Sequence, residues 1–148
     1  MSKVLTFLFL TLLSPLMPAF FFFVGIKVAY IDLYGIEEYF NVLFVDNMSW
    51  SFYWAFGVIC AVLFMLPFKR LTGSLFVLIT LVSMSMLIDH VGHDVGEKIF
   101  SKKPFYIKKK PYTYKGVLLY EGRHNYYLLN EENNRTITFN KGDIDEAY

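Results

Sequence analysis

The residues best suited to chemistry form one short cluster, which runs from Asp89 to Glu97. If this cluster continues a helix, His90 and His93 are three positions apart and Glu97 follows four positions later, so the three side chains share one face. Two imidazoles and a carboxylate are ligands that Zn²⁺ and Fe²⁺ accept. His90, His93 and Glu97 therefore define a candidate metal site.

The same cluster has two other interpretations. Polar groups gather where an apolar helix reaches water, and Asp89 with His93, like His90 with Asp94, would then form ordinary pairs one helical turn apart. A proton-sensing or pH-sensing role for the histidines is the other interpretation. The interfacial interpretation is favoured, because two glycines within the cluster favour an early end of the helix.

Two charged groups could bind a partner protein. Lys108, Lys109 and Lys110 follow one another among tyrosines, which suits an acidic partner, lipid phosphates or protection of a sheet edge. Glu37 and Glu38 lie in a loop that is both acidic and aromatic. Nucleic-acid binding is not expected, because the net charge is only +1.

Familiar catalytic motifs are missing from the sequence. It contains no P-loop, no G-x-G-x-x-G and no G-x-S-x-G. The single cysteine, Cys60, lies in an apolar run and can form no intramolecular disulfide. We therefore expect a protein that is not an enzyme and uses no cofactor.

The chain before this cluster contains three uncharged apolar runs, at 4–26, 50–68 and 71–88. A helix rises about 1.5 Å per residue and the hydrocarbon core of a bilayer is about 30 Å thick, so about 20 apolar residues cross it. We expect a three-helix transmembrane domain over residues 1–97, in contact with a lipid bilayer. The loop at 27–49 should hold a short helix at the membrane surface, because its apolar residues recur at helical spacing.

Each expected span offers small or polar residues at helical spacing, which close helix packing in lipid requires. Two prolines, Pro15 and Pro18, also predict a kink in the first span. The packing faces are Thr11, Ser14, Pro18 and Gly25 in the first span, Ser51, Ala55, Gly57 and Ala61 in the second, and Gly73, Thr80, Ser83, His90 and Asp94 in the third. Three such faces predict a compact bundle.

Residues 98–148 change to short strands, at 105–109, 112–121, 125–131 and 135–140. Their connections contain the Gly or Asn residues that tight hairpins use. An antiparallel meander or a small SH3-like barrel is expected, so the predicted fold class is α+β. A module of about 50 residues is marginal by itself, and we expect it to dock on the helices or on a partner.

The basic residues beside the spans predict an orientation. Lys3, Lys69 and Arg70 flank the spans on one side, and basic residues in short segments favour the cytoplasmic side. The lysines of the tail favour the opposite orientation. We expect the N-terminus inside and the C-terminal domain outside, in a bacterial-type cytoplasmic (inner) membrane.

The favoured function is a small multi-pass accessory protein that binds, stabilises or helps assemble a larger membrane protein complex. One alternative is an immunity protein against a membrane-active toxin, since such proteins are often short and multi-span. The other is a metal-dependent membrane enzyme or transport factor that uses His90, His93 and Glu97.

Overall fold

The chain folds into apolar helices followed by an antiparallel sheet, in a computed structural model that describes residues 2–130 and 133–148. The helices are α1 (Lys3–Leu13), α2 (Leu16–Ile26), α3 (Phe40–Asn47), α4 (Trp50–Met65), α5 (Lys69–Met84) and α6 (Asp89–Phe100). A π-helical turn (Lys27–Ile31) continues α2, and a 3₁₀ turn (Ser85–Leu87) continues α5. The strands are β1 (Lys102–Lys109), β2 (Tyr112–Glu121), β3 (Asn125–Asn130), β4 (Arg135–Asn140) and β5 (Glu146–Ala147). The predicted α+β class is confirmed.

Two helical stretches are long and apolar enough to cross a membrane. They are Lys3–Ile31, with 29 residues, and Lys69–Leu87, with 19 residues. The third predicted span, at 50–68, is not confirmed, because α4 has 16 residues and meets α3 at a bend of 82°. A helix of that length reaches about 24 Å, less than the roughly 30 Å of a hydrocarbon core. Three spans therefore require α3 and α4 to form one broken span.

The stretch Lys3–Ile31, called the first helix from here on, is interrupted where the two prolines predict a kink. α1 ends at Leu13 and α2 begins at Leu16, with Ser14 and Pro15 between them. Pro15 has no N–H to donate to the preceding turn, so the helical ladder breaks here. The helix is thus interrupted within the predicted region, Ser14–Pro18, whereas the bend itself stays a prediction.

Close packing between the helices uses part of the predicted faces. All four expected residues of the first helix are buried. In α4, Gly57 and Ala61 are buried, whereas Ser51 and Ala55 are exposed, so that part of the prediction is wrong. Gly57 lies against the main chain of Thr11, which is the close backbone approach that a small residue permits.

The predicted face of the third helix is wrong as a continuous surface, because the helix breaks at Ile88. His90 and Asp94 lie beyond that break, on α6, and are exposed. The buried residue of α5 is Thr72, whose hydroxyl donates a 3.2 Å hydrogen bond to the carbonyl of Leu63 in α4. This bond ties the two helices together beside their short connection.

The loop after the first helix forms a wedge between the helices and the sheet. The predicted surface helix is shorter than expected, since α3 begins only at Phe40. Ile31, Ile36 and Leu43 are buried and belong to one cluster with the sheet residue Tyr120. Side chains that helical spacing assigned to a membrane surface thus hold the sheet instead.

The sheet is a meander of β1 to β4 with the short β5 added beyond β1. Its order is β4-β3-β2-β1-β5, and the paired strands are antiparallel. The predicted strands 112–121 and 135–140 match β2 and β4, whereas β1 begins earlier than predicted, at Lys102. The meander is confirmed, and the SH3-like barrel stays a prediction.

The predicted strand 125–131 corresponds to β3, which ends at Asn130 within the described residues. Glu131 and Glu132, which the prediction places at the strand end and in the following turn, lie outside the described residues. Asn134 follows in the same turn with a φ of 54°. Asparagine tolerates this left-handed conformation, as the hairpin prediction requires.

β2 is covered on both of its faces. Leu118 belongs to a core that the sheet builds alone, with Phe105, Ile107, Leu128 and Phe139. Its neighbours Leu119 and Tyr120 join a different core, which includes Phe23 and Tyr30 of the first helix. The predicted docking of the module on the helices is therefore confirmed.

Candidate functional site

The candidate functional site is the junction at which α6, the loop after the first helix and the sheet meet. α6 runs unbroken through Gly92 and Gly96. A β-carbon at Gly96 would lie 2.5 Å from the Tyr30 ring, and Gly92 lies against Met86 and Ala29. The expectation that these glycines favour an early helix end is wrong, because they permit close packing instead.

His93 is held between two polar side chains at this junction. Its Nε2 and the hydroxyl of Tyr34 share a hydrogen bond of 3.1 Å. Its Nδ1 lies 3.6 Å from a carboxylate oxygen of Asp94. Each of the two ring nitrogens of His93 thus has a polar neighbour.

The residues predicted to bind a metal are not brought together as a metal centre. His90 is exposed, and the Glu97 carboxylate lies 3.5 Å from Nζ of Lys103. An open cleft of about 490 Å³ includes His90, His93 and Asp32 in its lining. Within residues 2–130 and 133–148, no three His, Cys, Asp or Glu side chains are arranged to hold a metal ion. The geometry gives the metal hypothesis no support.

Tyr34 links three parts of the chain. Its hydroxyl contacts His93 on α6, while its carbonyl accepts a 2.9 Å hydrogen bond from the Thr136 hydroxyl on β4. Burial raises the pKa of the Tyr34 phenol, and the nearby Glu97 carboxylate raises it further. The phenol therefore stays protonated at neutral pH. Sequence reasoning missed this residue, for which the only signal was the aromatic content of its loop.

A second set of contacts joins α3 to the β2–β3 turn. Arg123 binds Asp46 through two parallel hydrogen bonds of 2.5 Å, from Nε and Nη2 to the two carboxylate oxygens. Beside this pair, Asn47 donates a 3.1 Å hydrogen bond to the hydroxyl of Tyr120. A planar guanidinium and a carboxylate fit each other in this paired geometry, which also sets their mutual orientation. Sequence reasoning missed the pair, because Asp46 and Arg123 are far apart in the chain.

The two glutamates predicted to bind a partner have different surroundings. The Glu38 carboxylate lies against Gly122 in the β2–β3 turn, where it occupies the space that a β-carbon would need. Glu37 is exposed. Glu38 therefore packs against the sheet and Glu37 is exposed, and partner binding by the two glutamates stays a prediction.

The three lysines predicted to bind a partner already face acidic residues of the same chain. Lys108 lies 3.2 Å from Glu146, Lys109 lies 3.4 Å from Asp143, and Lys110 lies 3.5 Å from Asp145. The acidic residues belong to the C-terminal segment, which returns along β1. The three lysines are thus paired with an acidic segment of the same chain, although their side chains stay exposed.

A mostly apolar cavity of about 350 Å³ lies between the helices and is lined in part by the bend that joins α3 to α4. Pro18, Phe22, Phe52 and Phe56 are among its lining residues, and Ser83 reaches it from α5. Cavities of this size occur among small-molecule sites, but such sites usually place a few convergent polar groups inside. The lining of this cavity is mostly apolar.

No family model matches the chain, and neither a curated protein nor a solved structure is similar to it.

Proposed function

We propose that this protein is a non-catalytic, multi-pass accessory protein that binds, stabilises or helps assemble a larger complex in a bacterial cytoplasmic membrane. The surface of α5 carries this proposal. Among the residues of α5, all of which the structure describes, only Thr72 is buried. Such a helix offers apolar surface along its length to lipid or to the helix of another protein.

The proposal includes a third membrane crossing, made by α3 and α4 as one broken span. α4 connects to α5 through a short turn and packs along α1. With three crossings, Lys3, Lys69 and Arg70 share one side of the membrane and the sheet lies on the other. Because basic residues in short segments favour the cytoplasm, the sheet would lie outside.

The shared core between helices and sheet supports a role in binding. Tyr30 of the first helix and Tyr120 of β2 belong to the same buried cluster. The sheet is therefore held in a set position relative to α2, against which α5 packs in turn, rather than tethered by a linker. A partner could contact both surfaces at once without ordering the chain first, which lowers the entropic cost of association.

Cross-linking within the membrane tests the proposal. Full-length protein carrying a photo-reactive amino acid at Val77 or Val82 of α5, which are 56% and 59% exposed, would be irradiated in cells and purified in mild detergent. Leu8 of α1, at 57% exposure, is the matched control position. We expect a discrete cross-linked protein from the α5 positions and not from Leu8. Recovery of the monomer alone from every position would contradict the accessory role.

A reporter fused after Tyr148 tests the crossing number and orientation. A reporter active only outside the cytoplasm should report activity, since three crossings separate the C-terminus from a cytoplasmic N-terminus. Activity of a cytoplasm-specific reporter at the same site would contradict this orientation.

A further inference from the structure

The C-terminal segment lies along the outer edge of β1 with few main-chain contacts. β5 pairs only two residues of the eight in β1, Ile107 with Ala147 and Lys108 with Glu146. Main-chain hydrogen bonds of 2.8 and 3.1 Å between Tyr106 and Tyr148 extend this pairing. A two-residue strand is far shorter than the five or six residues that are usual.

The charges on this edge are complementary but weakly held. Lys108, Lys109 and Lys110 each pair with an acidic residue of the segment, at N–O distances of 3.2 to 3.5 Å. Exposed ion pairs of this kind contribute little to stability, because water screens them and long side chains must be ordered. The ion pairs therefore match the segment to β1 in charge but contribute little to holding it there.

Apolar and aromatic side chains of the segment also contact the sheet. Ile144 and Ala147 contact the small core of the sheet, and the Tyr148 ring stacks on Tyr106 with centroids 5.6 Å apart. Asp145 and Glu146, between the two apolar contacts, are exposed and face the lysines. The edge thus accommodates an extended segment with an apolar residue, two acidic residues, a small residue and an aromatic residue in succession.

We propose that the outer edge of β1 is a docking site for an acidic, extended segment of a partner protein, and that residues 143–148 occupy it until the partner displaces them. Adding a strand to a sheet edge gives main-chain hydrogen bonds, while flanking side-chain contacts give specificity. An incoming strand longer than β5 could pair with more of the eight residues of β1. This inference rests on the proposed accessory role and names the chemistry of the partner.

Peptide binding to the full-length protein in detergent tests the docking site. The probe is a fluorescent peptide with the sequence of residues 143–148, Asp-Ile-Asp-Glu-Ala-Tyr, and the control probe carries Asn and Gln in place of the acidic residues. In the variant Asp145→Lys/Glu146→Lys the protein's own segment is repelled from the lysines. This variant should bind the acidic peptide about tenfold more tightly than the wild type, because the edge is then free in a larger fraction of molecules.

Adding Lys108→Glu/Lys110→Glu to that variant should abolish the gain, and the neutral peptide should bind none of the proteins. Equally weak binding of the acidic peptide to the wild type and to the Asp145→Lys/Glu146→Lys variant would overturn the inference. So would concentration-dependent dimerisation of the wild type that Glu146→Lys removes, since the occupant would then be a second copy. Peptide binding without any cross-linked partner at α5 would instead count against the accessory role.

Hydrogen exchange of the wild type gives a test that depends on no variant. The amides of Asp145 and Tyr148, which bond to Lys108 and Tyr106, should exchange much faster than the paired amides of β2 and β3. Exchange at equal rates would mean that the segment opens only with the whole sheet, and would overturn the inference.

Discussion

The hydroxyl of Tyr30, at the end of the first helix, donates a 3.0 Å hydrogen bond to the main-chain carbonyl of Leu119 in β2. Both residues are buried, and Leu119 lies where the β2–β3 register shifts, between Leu118 and Tyr120. One side chain of the helical part thus satisfies a polar group at an irregular point of the sheet. The helices and the sheet are therefore joined by a directed hydrogen bond as well as by apolar packing.

Replacing Tyr30 by phenylalanine should destabilise the protein by about 1–2 kcal/mol, because the buried Leu119 carbonyl would lose a donor that water cannot replace. The measurement is thermal or denaturant unfolding in detergent, followed by the spectroscopic signal of the tyrosines in the sheet. Tyr39→Phe is the control, since Tyr39 is 79% exposed and should change stability little. Equal effects of the two substitutions would show that the hydrogen bond contributes nothing specific.

Gly96→Ala should cost about 1–3 kcal/mol, because the new methyl group would be forced against the Tyr30 ring at the α6 contact. Gly73→Ala on α5 is the matched control, since among the described residues no atom beyond its own stretch of helix lies within 4 Å of the added carbon. That change should be neutral or stabilising by up to about 1 kcal/mol, the ordinary preference of a helix for alanine. Unfolding midpoints of the two variants decide the prediction. A Gly96→Ala protein as stable as Gly73→Ala would contradict the close contact.

Reversing one charge of the Asp46–Arg123 pair should lower the unfolding temperature, since a carboxylate would then face a carboxylate or a guanidinium a guanidinium. The single variants are Asp46→Arg and Arg123→Asp. Combining them restores opposite charges, and the double variant should regain part of the lost stability, which a double-mutant cycle measures. Strictly additive losses would mean that the two side chains do not interact in solution.

Acid should weaken the sheet through Glu121. The hydrogen bond from Lys141, 2.9 Å long, with the charges of Lys141 and Lys102, holds the pKa of the Glu121 carboxyl below its usual value. A carboxyl whose pKa is lower in the folded state stabilises the fold above its unfolded pKa, and this contribution is lost as the pH falls through the folded pKa. The wild type should therefore lose stability below about pH 4.5 more steeply than Glu121→Gln. The unfolding temperatures of both proteins would be measured from pH 7 to pH 3. An equal decrease in the two proteins would contradict the prediction.

Local patterns determined the secondary structure of this protein well. The strands at 112–121 and 135–140 match β2 and β4, and the break at Pro15 lies where a proline must interrupt a helix. These features depend on residues close together in the chain: alternation, turn residues and a missing N–H. The long apolar runs likewise predicted helices able to cross a membrane, two of which are confirmed.

The candidate site depended on contacts that no local pattern contains. His93 contacts Tyr34, and Asp46 contacts Arg123, although the partners are far apart in the chain. The lysines 108–110 likewise contact acidic residues of the C-terminal segment, which runs back along β1. Sequence spacing placed His93 and Glu97 on one helix, but it could not predict that Tyr34 and Lys103 would contact them. The sequence by itself determined which segments are apolar and where the main helices and strands lie, but not the break at Ile88 or the short strand β5. Only the tertiary structure decided which charges and hydroxyls meet, because that depends on how segments pack rather than on their own residues.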